Sequence, residues 1–325
     1  MTRDIPALLR ARDSLKKASR AFFERQGYLE VDTPVVTHCP GTEVYLHYFD
    51  TSWTDHGGLT HQKFLRSSPE LHMKRLMAEG LRKSFQLAPC FRNRGEFSEW
   101  HNPEFTMLEW YQMGLSYRGL IHETEVYLRE TAETMAILTG VRPEAVLPGK
   151  FEIIGVFDAF KSMVGVDLVD GDPDLAKKVI AAGVYSVQPG DDFETAYFKS
   201  LIEKIEPVIA GLKGCVLMDY PPSQAALAVV EGGQASRFEY YLGRVEICNG
   251  FFELTGESEN RARVGEAFME RAKMGFPPVP EDEDFYKAMG RFSGPCSGNA
   301  LGFDRWLALL RGADSLDGSI AFRGV

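Results

Sequence analysis

Residues 91–111, FRNRGEFSEWHNPEFTMLEWY, constrain this chain more than any other stretch, because they set a charged loop between two strand-like runs. Phe85 to Asn93 reads as the first strand, Arg94 to His101 as the loop and Glu104 to Tyr111 as the second strand. Side chains alternate faces along a strand, so Phe105, Met107, Glu109 and Tyr111 fall on one side. A carboxylate among aromatic rings on a sheet face is costly to bury without a cationic partner. Arg92 enters the loop as a fixed cation with a planar donor fork, suited to phosphate. One hairpin thus offers a phosphate clamp, an aromatic platform and an anionic socket for an ammonium group. The same residues would also suit a surface hairpin with solvated charges.

At 325 residues and 44% hydrophobic, the chain can bury a sizeable core. Its net charge of −10 and pI near 5.3 argue against nucleic acid as the main partner, because phosphate binding draws on basic surface. The five cysteines (Cys39, Cys90, Cys215, Cys248, Cys296) form no CxxC pair, and their odd count suits reduced thiols in a cytoplasmic protein. The histidines show no zinc-binding spacing. The opening residues are charged throughout, unlike a signal peptide, and no apolar run reaches membrane-spanning length.

Along the chain, Ile5 to Gln26 reads as an amphipathic helix with Leu8, Ala11, Leu15, Ala18 and Phe22 on one stripe, stopped by Gly27. Tyr28 to Val36 reads as a strand, and Pro34 makes it an edge or interface strand. In Leu65 to Glu79, Ser67, Ser68 and Pro69 open a helix whose first turn carries Glu70. Ser116 to Thr139 is a long helix. In Val141 to Gly214 only packing is legible, with helices expected at Phe157 to Val164 and Asp192 to Gly211. Cys215 to Tyr220 is an apolar strand. Phe238 to Glu253 is a hairpin whose turn is Leu242-Gly243 or Gly243-Arg244. Either turn leaves Glu239 and Glu246 on one face, opposite or diagonal. Such a carboxylate pair invites magnesium, or else neutralisation by Arg237 and Arg244. Glu257 to Gly275 and Asp282 to Gly290 read as helices. In Cys296 to Leu310, CSGNALGFDRWLALL, glycines 298 and 302 permit close approach of a ligand. Arg305 stands at the start of the last helix, where free N–H groups favour anions.

FRN followed by HNPEFTMLEWY resembles the second signature motif of the class II aminoacyl-tRNA synthetases, in the lysyl branch. The opening helix, strand and proline resemble the first motif, GFDR resembles the third, and SPELHMKRL resembles a lysyl-branch segment whose glutamate meets the substrate amine. The motifs span nearly the whole chain. The resemblance implies an α+β fold, an antiparallel sheet flanked by helices, as a single catalytic domain over 1–325 that forms a homodimer and binds ATP with magnesium. By residue match, Arg92 would hold the α-phosphate and Arg305 the terminal phosphate, the two catalytic groups. Phe105 would stack on adenine against Arg305, and Asn93, His101, Asn102, Ile247 and Gly302 would line the nucleotide. Glu239 and Glu246 would hold magnesium. Ser68, Pro69, Glu70, Glu109, Tyr111, Asn249, Phe251, Glu253 and Ala300 would surround the amino acid.

The chain departs from the family in two places. Arg94 stands where the family has glutamate, in a loop one residue longer, so Glu96 or Arg94 would contact adenine. The first motif starts almost at residue 1, which leaves no room for the anticodon-binding OB domain of a lysyl-tRNA synthetase. A free-standing lysyl-type domain of this length resembles the elongation factor P lysine ligases. That family activates lysine, or preferably (R)-β-lysine, and attaches it to a lysine of elongation factor P. The alternatives are a truncated synthetase charging tRNA, a non-catalytic amino-acid-sensing paralogue, and an asparagine-synthetase-like ligase. Glu246 and Asn249 are an odd number of residues apart, so sharing one site requires a β-bulge, expected near Cys248-Asn249-Gly250.

The lysyl synthetases resemble SGNALG but carry glycine at the Ala300 position. An added methyl beside the ligand reshapes the space at its α-carbon, and Ala300→Gly should shift the ratio of lysine to β-lysine activation by the equivalent of about 1–3 kcal/mol. An unchanged ratio would place the discrimination elsewhere.

Overall fold

In the computed structural model, which describes residues 4–95 and 97–324, the opening apolar stripe forms a helix over Ile5–Arg25. Asp4 caps it by accepting the Ala7 N–H at 2.9 Å, and Gly27 ends it at φ +79°. Leu8, Ala11, Leu15 and Phe22 are buried as the periodicity predicts, whereas Ala18 is only half-buried and Ser19 takes the buried place beside it. Phe23 extends the apolar face and stacks on Phe85 with ring centroids 4.7 Å apart. The chain divides into two units, one formed by the segments up to Pro143 and from Glu253 onward, the other by Glu144–Phe252.

The main sheet of the first unit runs in the order Leu29–Glu30, Lys83–Phe91, Glu104–Met113, Cys296–Gly302. The first pair is parallel and the others are antiparallel. The central hairpin therefore forms as expected, with Phe105, Met107, Glu109 and Tyr111 alternating on one face. The strand expected over Tyr28 to Val36 is a correction. Only Leu29–Glu30 and Val36–Thr37 pair, in two different sheets. Between them the buried Arg66 takes over the role of a neighbouring strand, donating to the carbonyls of Thr33 at 2.9 Å and Pro34 at 3.3 Å. Leu29–Glu30 lies at the end of its sheet, as Pro34 suggested. A second small sheet joins Val36–Thr37, Thr60–Leu65 and Phe49–Thr54, all antiparallel.

Helices flank this unit. Tyr117–Thr139 starts at Ser116, whose hydroxyl accepts the Gly119 N–H, and ends at Gly140 with φ +72°. It packs on the first helix through Tyr127, which sits 5.3 Å from Phe22 and shares a 2.8 Å hydrogen bond with Ser19. Glu257–Lys273 and Glu283–Met289 follow the expected bounds closely.

The sheet of the second unit runs Val245–Phe252, Gln234–Leu242, Cys215–Tyr220, Glu152–Gly155, antiparallel except for the last pair. Residues 156–211 lay helices on it, including the expected Val156–Ala159 and Phe193–Ser200 and the unforeseen Leu175–Ala181. Their core centres on Phe160 stacked against Tyr197 at 5.2 Å, with Leu175, Val179, Ile205 and Ile209 around them.

In the hairpin of this unit Leu242 pairs with Val245, so the turn is Gly243-Arg244, with Gly243 at φ +55°. The β-bulge is present but lies earlier than expected. Tyr241 pairs with Glu246 and Tyr240 with Cys248, so Ile247 is the extra residue. Pairing is regular at Asn249 and Gly250. Gly250 serves another purpose, since the Phe238 ring covers it and any Cβ there would collide with that ring. All five cysteines are buried, and none of them forms a disulfide. No helix among the described residues is long and apolar enough to cross a membrane.

Gly250→Ala should therefore displace the Phe238 ring and destabilise the protein by about 1–3 kcal/mol, as overpacking does. Thermal or denaturant unfolding reads this directly, and an unchanged midpoint would mean that the ring moves aside freely.

Candidate active site

In the first unit, the residues matched to the nucleotide gather around the loop after Lys83–Phe91. The Arg92 N–H bonds to the Pro103 carbonyl at 2.9 Å, which closes the loop, and its guanidinium lies 5.1 Å from the Phe105 ring centre. Arg92 Nε is buried with no hydrogen-bond partner, a donor still open to an anion. The Asn93 N–H bonds to the His47 carbonyl at 2.9 Å, and its amide nitrogen donates to the Tyr48 carbonyl at 3.4 Å. Arg94 takes a left-handed φ of +50° and is exposed. Asn102 donates to the Glu104 carbonyl at 2.6 Å. Arg305, in the helix Phe303–Leu310 that follows Gly302, donates to the Trp100 carbonyl at 3.2 Å and to His101 Nε2 at 2.8 Å. Phe105 thus carries Arg92 on its ring, while Arg305 holds the far side of the loop. Glu96 lies outside the described residues.

This clamp has a foundation that sequence reasoning missed. Asp304 accepts the Thr106 N–H at 2.6 Å and pairs with Arg12 of the opening helix. Arg12 also donates to the Thr106 hydroxyl at 2.7 Å. The residues beside Phe105 and Arg305 are therefore bonded to one another.

The residues matched to the amino acid form a buried acidic cluster in the same unit. Glu109 is only 1% exposed. Its partners are hydroxyls, Tyr111 at 2.6 Å and Ser68 at 2.8 Å, instead of the cation expected from its burial. Ser68 also accepts the Glu70 N–H at 3.0 Å, next to Pro69 at the start of the helix Glu70–Ala78. Burial, reinforced by the nearby charge of Glu70, pushes Glu109 up to about 8. The cation of the cluster is Lys74, which sits 2.6 Å from Glu70 and 2.6 Å from Glu253. Burial works against the Lys74 charge, but Glu253 and Glu70 together hold its pKa above the ordinary range. Burial pushes Glu253 up to about 7 against the pull of Lys74. Gly298 pairs with Tyr111, and a Cβ there would collide with Tyr111 and Glu253. Ala300 pairs with Glu109, which puts its methyl beside that carboxylate.

The remaining residues matched from the sequence lie in the second unit. The bulge at Ile247 resets the alternation, so Glu239, opposite Asn249, shares a face with Tyr241, opposite Glu246. Glu239 and Glu246 are diagonal neighbours on that face. Arg237, opposite Phe251, reaches Glu239 at 2.6 Å and Asn249 at 3.2 Å. The Tyr241 hydroxyl donates to the other Glu239 oxygen at 2.6 Å. Each Glu239 oxygen keeps a second acceptor position, and Glu246 is half-buried beside it. Among the described residues, no group of three or more His, Cys, Asp or Glu side chains is placed to hold a metal ion. Ile247 itself is buried.

The family described as tRNA synthetases class II (D, K and N) matches residues 1–324. The elongation factor P--(R)-beta-lysine ligase of Vibrio cholerae is 34% identical over 97% of this chain and 94% of its own length. The protein of the same name from Proteus mirabilis is 34% identical over 95% and 94%, and that from Salmonella gallinarum 33% over 98% and 95%.

The raised Glu109 pKa predicts how an ammonium ligand would bind at this cluster. Below about pH 8 the carboxyl keeps its proton, whereas an ammonium ligand prefers the ionised form. Binding should release a proton at neutral pH and tighten by up to about tenfold per pH unit between pH 6 and 8. Calorimetry in buffers of different ionisation enthalpy checks this. Glu109→Gln should remove most of the release, and buffer-independent heats for the unaltered protein would mean that Glu109 is already ionised.

Proposed function

Because the chain belongs to the class II tRNA synthetases of the D, K and N type, we propose that it activates lysine or (R)-β-lysine with ATP and joins it to a lysine side chain of elongation factor P. The observation that carries this reading is the near full-length match to elongation factor P--(R)-beta-lysine ligases. The acidic cluster of Glu70, Glu109 and Glu253 supports it, since a substrate with two amines needs several carboxylates.

In the first step the amino-acid carboxylate attacks the α-phosphorus of ATP. A P–O bond forms, the bond to the β-phosphate breaks, and pyrophosphate leaves with the electron pair. The nucleophile is already anionic, so no protein base is required. Arg92 steadies the α-phosphate, where its open Nε supplies a donor, and Arg305 the terminal phosphate. Phe105 offers its ring to adenine, with Asn93, His101, Asn102 and Gly302 around the nucleotide and Arg94 reaching the base. Ser68, Glu70, Glu109, Tyr111 and Glu253 receive the ammonium groups. Glu239 and Glu246 would hold magnesium. Bound there, the metal would neutralise charge on the phosphates.

In the second step a neutral lysine amine of the acceptor attacks the adenylate carbonyl. An amide forms, AMP leaves and the amine proton passes to solvent. The net charge of −10 favours a protein acceptor over tRNA, whose affinity for proteins rests largely on phosphate contacts. We place this reaction in the cytoplasm, carried out by a homodimer.

Acceptor choice tests the reading. With ATP and labelled lysine or β-lysine, label should reach elongation factor P and not tRNA. The rate should rise with pH as the acceptor amine loses its proton, up to roughly its ordinary pKa near 10. Label on tRNA with none on elongation factor P would restore a tRNA-charging enzyme.

A further inference from the structure

Lys74 is the one charged group of the acidic cluster with no part in the chemistry above. It lies one helical turn after Glu70, so both side chains emerge on the same face of Glu70–Ala78. On a surface helix that spacing would make a weak, screened pair. Here the Lys74 side chain is 1% exposed and that of Glu253 is 2% exposed. A buried ammonium keeps its charge only with partners, and Lys74 has two, each at 2.6 Å. The groups that face it are Glu70 on its own helix, Glu253, Glu109 and Tyr111 on the central strand, and Cys296 on the strand beside it.

The pairing is selective about which oxygens it takes. Lys74 engages Glu253 Oε2, while Oε1 faces Gly298, where an added methyl would collide with it. Glu109 receives hydroxyls and makes no ion pair with Lys74 at the distances of the other two carboxylates. Glu109 and one oxygen of Glu253 are thus left to meet incoming ammonium groups.

We propose that Lys74 is a resident counter-ion that sets the charge of the amino-acid site, cancelling one of the three carboxylates Glu70, Glu109 and Glu253. Once ligand binding has drawn the proton from Glu109, the net charge of −2 that remains matches a substrate with two ammonium groups, so Lys74 is a specificity-determining residue. The inference rests on the proposed function in taking this cluster as the amino-acid site. Without Lys74, three crowded carboxylates repel one another and take up protons at neutral pH. A second ammonium on the substrate then finds a neutral partner and gains little.

The test uses the full chain and amino-acid-dependent ATP–pyrophosphate exchange. It compares lysine with norleucine, which lacks the terminal amine, in KM and kcat separately. Lys74→Met should cut the preference for lysine by about tenfold or more, mainly through KM. It should also increase the protons released on lysine binding, and Lys74→Arg should restore both. If Lys74→Met does not fold, Lys74→Gln, which removes the charge but can still donate hydrogen bonds to Glu70 and Glu253, replaces it with the same expected loss of preference. An unchanged preference and proton count in the folded variant would reduce Lys74 to a structural tie and overturn the proposal. Absence of exchange with either lysine or β-lysine in the unaltered protein would instead overturn the proposed function.

Discussion

Asp304 accepts from two directions, the Thr106 N–H of the central strand and the Arg12 guanidinium of the opening helix. Its own helix carries Arg305 one residue later, and the strand carries Phe105 one residue earlier. Three segments far apart in sequence are therefore fixed by one nearly buried carboxylate, and with them the positions of Phe105 and Arg305. A charged group in such a place is tolerated because its oxygens are satisfied by a cation and a backbone donor. Removing either partner would leave a buried charge uncompensated, so the arrangement holds as a set.

The acidic cluster makes the opposite use of burial. Glu109 and Glu253 are held where solvent cannot stabilise their charges, and their raised pKa values reflect that. Such groups weaken the fold in the absence of ligand, which is the usual relation between stability and a functional site. Tyr111, Ser68 and Lys74 hold the carboxylates in place without exhausting their capacity to bind.

The central hairpin and the long helices were legible because alternation with period two or a three-to-four stripe runs through them, and the strand at Cys215–Tyr220 because it is a short, continuous apolar run. The Tyr28 to Val36 strand was misplaced because the sequence does not show that Arg66, thirty-odd residues on, would satisfy its carbonyls. The hairpin of Phe49–Thr54 and Thr60–Leu65 went unread because its mostly exposed, polar residues carry no buried face. The bulge was anticipated from a parity argument between Glu246 and Asn249, but Gly250 drew it to the wrong place. That glycine is required by the Phe238 ring, a contact between strands that local sequence does not report. Lys74 escaped notice because Glu-x-x-x-Lys is a common surface pattern. The available signal was the apolar company of Leu71, Met73 and Met77 on the same short helix, all of them buried.

The buried thiols have a practical bearing. Burial pushes Cys39, Cys90 and Cys215 up to about 12, and raises Cys296 as well. Thiol reagents attack the thiolate, so these side chains are chemically quiet in the folded protein. A single cysteine introduced at an exposed position such as Ile137 would accept a fluorophore or a crosslinker selectively, with all native cysteines left in place. The protein is already a labelling background, in which a binding event can be watched by fluorescence without redesigning the core.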